Sequence, residues 1–160
     1  MRIIPGIFNI LFRDISAAVT SWKSLVVMAA LACGVSPCIA ADYASQISMF
    51  RRAHGLSSVA LDGRLNAVAL QQAMAMSVSG KVSHEIGGLF SVRVAKLRMS
   101  KAAENIAAGL LTFPETLREW ENSAGHRENL LMPGARKVGV ASVANSKSPY
   151  RMFWAMVITD

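Results

Sequence analysis

Two histidines and one glutamate stand in otherwise apolar or small-residue surroundings: His84 after Ser83, Glu104 in Ala103-Glu104-Asn105-Ile106-Ala107, and His126 in Gly125-His126-Arg127-Glu128-Asn129-Leu130-Leu131. Imidazoles with a carboxylate form the donor set of a zinc site that keeps one position open for water. Without metal, the same trio is a hydrogen-bonded cluster in which the carboxylate fixes the imidazole tautomers, or a general base acting on water. The intervals of 20 and 22 residues are too long for a local motif. Only a folded domain brings such groups together. No His-Glu-x-x-His helix and no Ser-His-Asp order accompanies them, and nothing in the sequence activates Ser83 or Ser123.

The elements that must position them follow from periodicity and capping. Asp42 is the expected N-cap of a first helix toward Gly55, with Tyr43, Ile47 and Phe50 on one stripe. Leu56–Leu61 reads as a connector. Asp62 then caps the clearest helix, in which Leu65, Val68, Ala69, Ala73 and Met76 recur at helical spacing before Gly80. Ser91–Met99 has a helical pattern, and Glu104–Gly109 suits a strand or a loop. Pro114 and Glu115 open a helix that turns Leu117 and Trp120 inward and stops near Gly125. Lys137–Ala144 and Tyr150–Thr159 are β-rich, separated by Asn145-Ser146-Lys147-Ser148-Pro149 as by a five-residue hairpin loop. Met152–Ile158 is apolar on both faces, the pattern of a strand covered on both sides. Helices followed by antiparallel strands give an α+β sandwich.

Composition sets the outer limits. With 52% hydrophobic and 17% charged residues over 160 positions, one globular domain is expected. Leu25–Ile39 is an uncharged, mostly apolar run of 15 residues after Lys23, followed by Ala40 and Ala41, which fits an export signal cleaved after Ala40. It falls short of the ~20 residues a spanning helix needs. The alternatives are an uncleaved anchor or lipidation at Cys33. The domains are therefore 1–40, export signal or N-terminal anchor, and 41–160, the working domain. Cys33 and Cys38 both lie in the first, so the second depends on its core rather than on disulfides. Removing residues 1–40 takes three basic and one acidic group from 17 and 10, leaving 14 and 9, or +5. The basic residues, Arg51-Arg52, Arg93, Lys96, Arg98 and Lys101 among them, are scattered without interleaved aromatics. They read as solvated helix faces and not as a nucleic-acid surface.

Taken in order, Gly55-Leu56, Leu61-Asp62, Leu65, Ser83-His84, Arg93, Glu104-Asn105-Ile106-Ala107, Trp120, Gly125-His126-Arg127, Asn129-Leu130-Leu131, Val138-Gly139-Val140 and Phe153-Trp154 resemble the bacterial branch of the CAP superfamily, the cysteine-rich secretory, antigen 5 and pathogenesis-related 1 proteins. The resemblance covers residues 42–160. It implies a three-layer α-β-α sandwich with a central antiparallel sheet and a cleft lined by His84, Glu104 and His126, with Ser83, Asn105, Ser123, Arg127 and Asn129 in support. It also implies a divalent metal, zinc first, as the candidate cofactor. Ser123 stands where many members carry a second glutamate, Ala103 replaces a glycine, and Glu85, read as solvent-facing, directly follows His84. Asn129 is expected to bond turn backbone, Arg127 to pair with an acid or a helix C-terminus, and His54 to lie on the surface. The implied protein is secreted or periplasmic, or else membrane-anchored outside the cytoplasm. Its partner is an envelope component, lipid or peptide, and it touches membrane only through an uncleaved N-terminal segment. A metal-dependent or histidine-assisted hydrolase and a purely structural surface protein are the other readings.

Overall fold

The computed structural model describes residues 37–160, with side chains from Asp42 onward; residues 1–36, most of the expected export segment with Cys33, lie outside the described residues. Helix α1 spans Pro37–Ala53. Asp42 therefore sits inside it and not at its cap, and its carboxylate accepts a hydrogen bond from Gln46 Nε2, one turn on, at 2.8 Å. The stripe of Tyr43, Ile47 and Phe50 does face the interior.

Helix α2, Gly63–Ser79, forms as its ends predict. The Asp62 carboxylate accepts the N–H groups of Arg64 and Leu65, and Gly80 closes the helix in the left-handed conformation at φ 67°. Its inward stripe is Leu65, Val68, Ala69, Gln72, Ala73 and Met76. Helix α3 is one short turn, Phe90–Val94, continued by a 3₁₀ turn at Ala95–Leu97. Helix α4, Phe113–Asn122, opens with a capping box in which Thr112 and Glu115 bond each other's backbone, and Pro114 occupies the first turn where its missing N–H is harmless.

Gly125 does not end a helix. A separate helix α5, Ala124–Leu130, begins there and carries the whole His126–Leu130 run. Ser123, with extended backbone, closes α4 and starts α5.

Four strands form one sheet in the order β1-β3-β4-β2. They are β1 Ala60–Leu61, β2 Ala102–Ala108, β3 Lys137–Asn145 and β4 Arg151–Thr159. β3 and β4 pair antiparallel from Lys137↔Thr159 to Asn145↔Arg151, and β2 lies antiparallel against β4 with Glu104 opposite Val157. The connector ahead of Asp62 ends in β1, a two-residue parallel rung on β3, so the sheet is antiparallel but for that edge. β4 is central and buried on both faces, as its doubly apolar pattern requires.

The two faces hold two cores. One packs Tyr43, Ile47, Phe113, Leu117, Trp120 and Leu130 of α1, α4 and α5 against Val138, Val140, Trp154, Met156 and Ile158. The other packs the α2 stripe, with Phe90 and Val94 of α3, against Ile106, Phe153, Ala155 and Val157. These are the three layers of the sandwich. Gly139 marks the closest approach of α2 to the sheet, because a Cβ there would collide with the backbone of Leu65 and Asn66.

Candidate functional site

The site is built on the edge strand β2. Side chains alternate along a strand, so Glu104, Ile106 and Ala108 face the α2–α3 layer while Ala103, Asn105 and Ala107 face the α1–α4–α5 layer. An edge strand also presents unpaired carbonyls. Here Asn129 Nδ2 donates to Glu104 O at 3.3 Å and Trp120 Nε1 to Ile106 O at 3.4 Å, so α4 and α5 close that edge.

On the α2–α3 side, Glu104 is almost completely buried, its side chain 2% exposed. Burying a carboxylate is costly unless it is paired and hydrogen-bonded. Arg93, 3% exposed, meets it fork to fork: Nη1 donates to Oε2 at 2.6 Å and Nη2 to Oε1 at 2.9 Å. His84 Nδ1 lies 2.9 Å from the same Oε1. A carboxylate only accepts, so Nδ1 carries the hydrogen and Nε2 is left as the acceptor nitrogen. The His84 side chain is 52% exposed, which leaves that nitrogen on the open side.

Residues from α2 and α3 hold the His84 loop there. Gln72, fully buried on α2, donates from Nε2 to Ser83 O at 2.7 Å and accepts from Gly87 N at 3.2 Å, clamping the 83–87 loop on both sides of His84. A side chain on Gly87 would run into Gln72 Oε1. Arg93 completes the frame by donating to His84 O at 3.1 Å and to Gly88 O at 3.0 Å. Ser83 Oγ accepts from Glu85 N, a local turn bond, and Glu85 is exposed.

On the opposite face, Asn105 Nδ2 donates to His126 O at 2.9 Å, and its Oδ1 accepts from Asn129 Nδ2 at 2.9 Å. Asn129 thus binds a strand rather than a turn. His126 is half-buried beside Trp120, with ring centroids 6.5 Å apart, and its Nδ1 is buried without a hydrogen-bond partner. Arg127 makes no ion pair with an acid among the described residues; it lies in the last turn of α5, and its Nη2 is 3.4 Å from Nε2 of the exposed His54, just past the end of α1. Ser123 is half-buried at the bend between α4 and α5, and its side chain makes no capping bond.

The expected trio is therefore only partly assembled. His84 and Glu104 are hydrogen-bonded directly, with Arg93 bracing the carboxylate, in the metal-free cluster arrangement. His126 is tied to the adjacent β2 residue on the other face and makes no hydrogen bond to either. Among the described residues, no group of three or more His, Cys, Asp or Glu side chains is placed to hold a metal ion. The donor chemistry agrees, since both Glu104 oxygens are occupied by a guanidinium. Zinc ligated by all three groups does not fit this arrangement.

Sequence reading missed Arg51. Grouped there with the solvated cations, it is fully buried and donates from Nη1 to Leu130 O at 2.7 Å and Met132 O at 3.1 Å, and from Nε to Ser57 O at 2.9 Å. Burial lowers its pKa. By filling the carbonyls at the end of α5 it fixes the helix that carries His126 and Asn129.

Fold and site together define a CAP-type module. The pattern of the cysteine-rich secretory protein family, CAP, matches residues 44–158, and the chain belongs to that family. Among relatives, the chain is 31% identical over 97 residues to the uncharacterized protein YkwD of Bacillus subtilis, a match covering 58% of this chain and 38% of YkwD. Among solved structures, an extracellular protein containing a SCP domain from Bacillus anthracis is 26% identical with a TM-score of 0.62, over 79% of this chain and 44% of that one. An outer surface protein of Borrelia burgdorferi shares the fold with a TM-score of 0.65 at 21% identity, over 74% of this chain and 88% of that one. The chain thus matches less than half of the length of the two Bacillus proteins.

Proposed function

We propose that this chain is an exported CAP-domain recognition module, which binds a polar envelope ligand through the imidazoles of His84 and His126 without a metal held by the full trio. One observation carries the reading: Glu104 is spent on orienting His84. With Arg93 on both oxygens and the His84 hydrogen on one, Glu104 sets the tautomer and leaves Nε2 ready to accept from a ligand donor. The unpartnered Nδ1 of His126 is a second polar atom whose hydrogen-bonding capacity is unmet. Export is supported by the apolar run at Leu25–Ile39 and by the extracellular and outer-surface descriptions of the similar proteins. Among the described residues, no helix is long and apolar enough to cross a membrane.

Calorimetric titration of muropeptides, lipid headgroups and short peptides into wild-type, His84→Gln and His126→Gln proteins tests this. Binding that both substitutions abolish while the melting temperature holds supports the reading. Binding that survives both places recognition elsewhere.

One observation favours a second reading. An imidazole oriented by a buried carboxylate, with its other nitrogen open, is the geometry of a general base acting on water. Hydrolysis that disappears in His84→Gln at unchanged ligand affinity would select it.

A further inference from the structure

The exposed face of α2 and the apolar side chains of the loop after it take no part in the His84–Glu104 pair, and the composition of this surface is unusual. The exposed stripe of α2 is Arg64, Ala67, Gln71, Met74 and Val78, with no charge after Arg64. A helix on a water-facing layer normally shows charged residues there. Val78 is 88% exposed and Val92, on α3, 67%, and Val82 and Leu89 are also exposed. The 81–89 loop returns along α2, since Gln71 Nε2 donates to Gly87 O, so these apolar side chains share one side of the molecule.

Charge is distributed in the same sense. From Gly63 to Ala102 there are six basic residues, Arg64, Lys81, Arg93, Lys96, Arg98 and Lys101, against one acid, Glu85. From Ala103 to Ala135 the balance reverses, with five acids, Glu104, Glu115, Glu119, Glu121 and Glu128, against Arg118 and Arg127. Arg64 is paired with Asp62 and Arg93 with Glu104, but Lys81, Lys96 and Arg98 are exposed and carry no salt bridge among the described residues.

From these observations we infer that the α2–α3 face docks on an anionic lipid surface, with Val78, Leu89 and Val92 entering the headgroup region and Lys81, Lys96 and Arg98 meeting lipid phosphates. Exposed apolar side chains ringed by cations match such a surface in both of its properties. A second copy of the chain would bring like charges together on this face. The inference extends membrane contact beyond the N-terminal segment and stands independently of the cleft.

The test uses the full chain with Cys33→Ser and Cys38→Ser, so that one environment-sensitive dye can be attached at a single new site: Val78→Cys, Val92→Cys, or Met49→Cys on the exposed part of α1 in the opposite layer. Vesicles are phosphatidylglycerol or phosphatidylcholine. The expected result is a blue shift at positions 78 and 92, and not at 49, with phosphatidylglycerol only. Raising salt reverses it, and Lys81→Gln with Lys96→Gln weakens binding about thirtyfold, the loss expected when two cations leave an anionic surface. Attachment through residues 1–40 alone would give no shift at 78 or 92, and equal shifts with neutral vesicles would remove the role of charge. Either result overturns the inference, as does a shift that grows with protein concentration in the absence of lipid. His84→Gln leaves the shifts unchanged, which separates this proposal from that for the cleft.

Discussion

Arg93 and Glu104 are the pair on which the site depends, and their burial makes them sensitive to single changes. Arg93→Ala leaves a buried carboxylate without its fork, and Glu104→Gln leaves a buried guanidinium without its counter-charge. Each is expected to destabilise the fold by about 3–5 kcal/mol, read from denaturant midpoints. The double change Arg93→Met with Glu104→Gln recovers much of that loss, because both charges leave together. His84→Gln behaves differently. Its side chain is half in solvent, so stability shifts by less than about 1 kcal/mol while ligand binding is lost. Functional tests therefore belong on the histidines, since any Glu104 substitution mixes folding with chemistry. The sequence displayed His84 and Glu104 through their residue types and Arg93 as one position of the family pattern, but the pairing of its guanidinium with Glu104 was not legible. A buried cation and a solvated one look alike in a sequence, and Arg51 was misread for the same reason.

At the scale of elements, most caps were legible because capping chemistry is local, the exception being Asp42, which lies inside α1. Asp62, Gly80 and Pro114 all sit where one-turn reasoning puts them. The stop near Gly125 was legible, but the restart as α5 was not, because a helix of seven residues is held by the packing of Leu130 into the core that also buries Trp120. Likewise Glu104–Gly109 carries too few β-branched residues to announce a strand, and pairing with β4 decides it. Arg51→Ala should unseat α5 by uncovering the carbonyls of Leu130 and Met132, at a cost of about 3 kcal/mol. Arg51→Lys should recover only part of it, since one ammonium cannot reproduce the fork. Hydrogen exchange of α5 amides, with global stability from denaturant, would show both effects.

Asp62→Ala should cost about 1 kcal/mol through loss of the α2 cap. The pH dependence has a defined sign. Hydrogen bonds from Arg64 lower the Asp62 pKa, and the Ser100 hydroxyl with the Lys101 N–H holds Asp160 at about 2. Both values are depressed by folding, so their stabilisation is complete above the unfolded carboxyl range near 4 and is lost as pH falls toward the folded values. Melting temperature should hold level down to about pH 5 and drop between about pH 4 and 2. Asp62→Asn and Asp160→Asn should flatten that drop.

For the whole molecule, the α-β-α sandwich was the most legible feature, because the ordered series of short motifs fixes a family and the family fixes the layers. How the site is divided was the least legible. One edge strand places Glu104 and Asn105 on opposite faces, so the two histidines attach to different layers although their anchors are adjacent in the chain. Spacing along a sequence carries no record of that. The most direct measurement is a crystal structure of the full chain grown with zinc, with anomalous data collected at the zinc edge. Arg93 is expected to remain bidentate on Glu104, with no zinc bonded to that carboxylate. A zinc peak shared by Glu104 and both imidazoles, with Arg93 displaced, would contradict it.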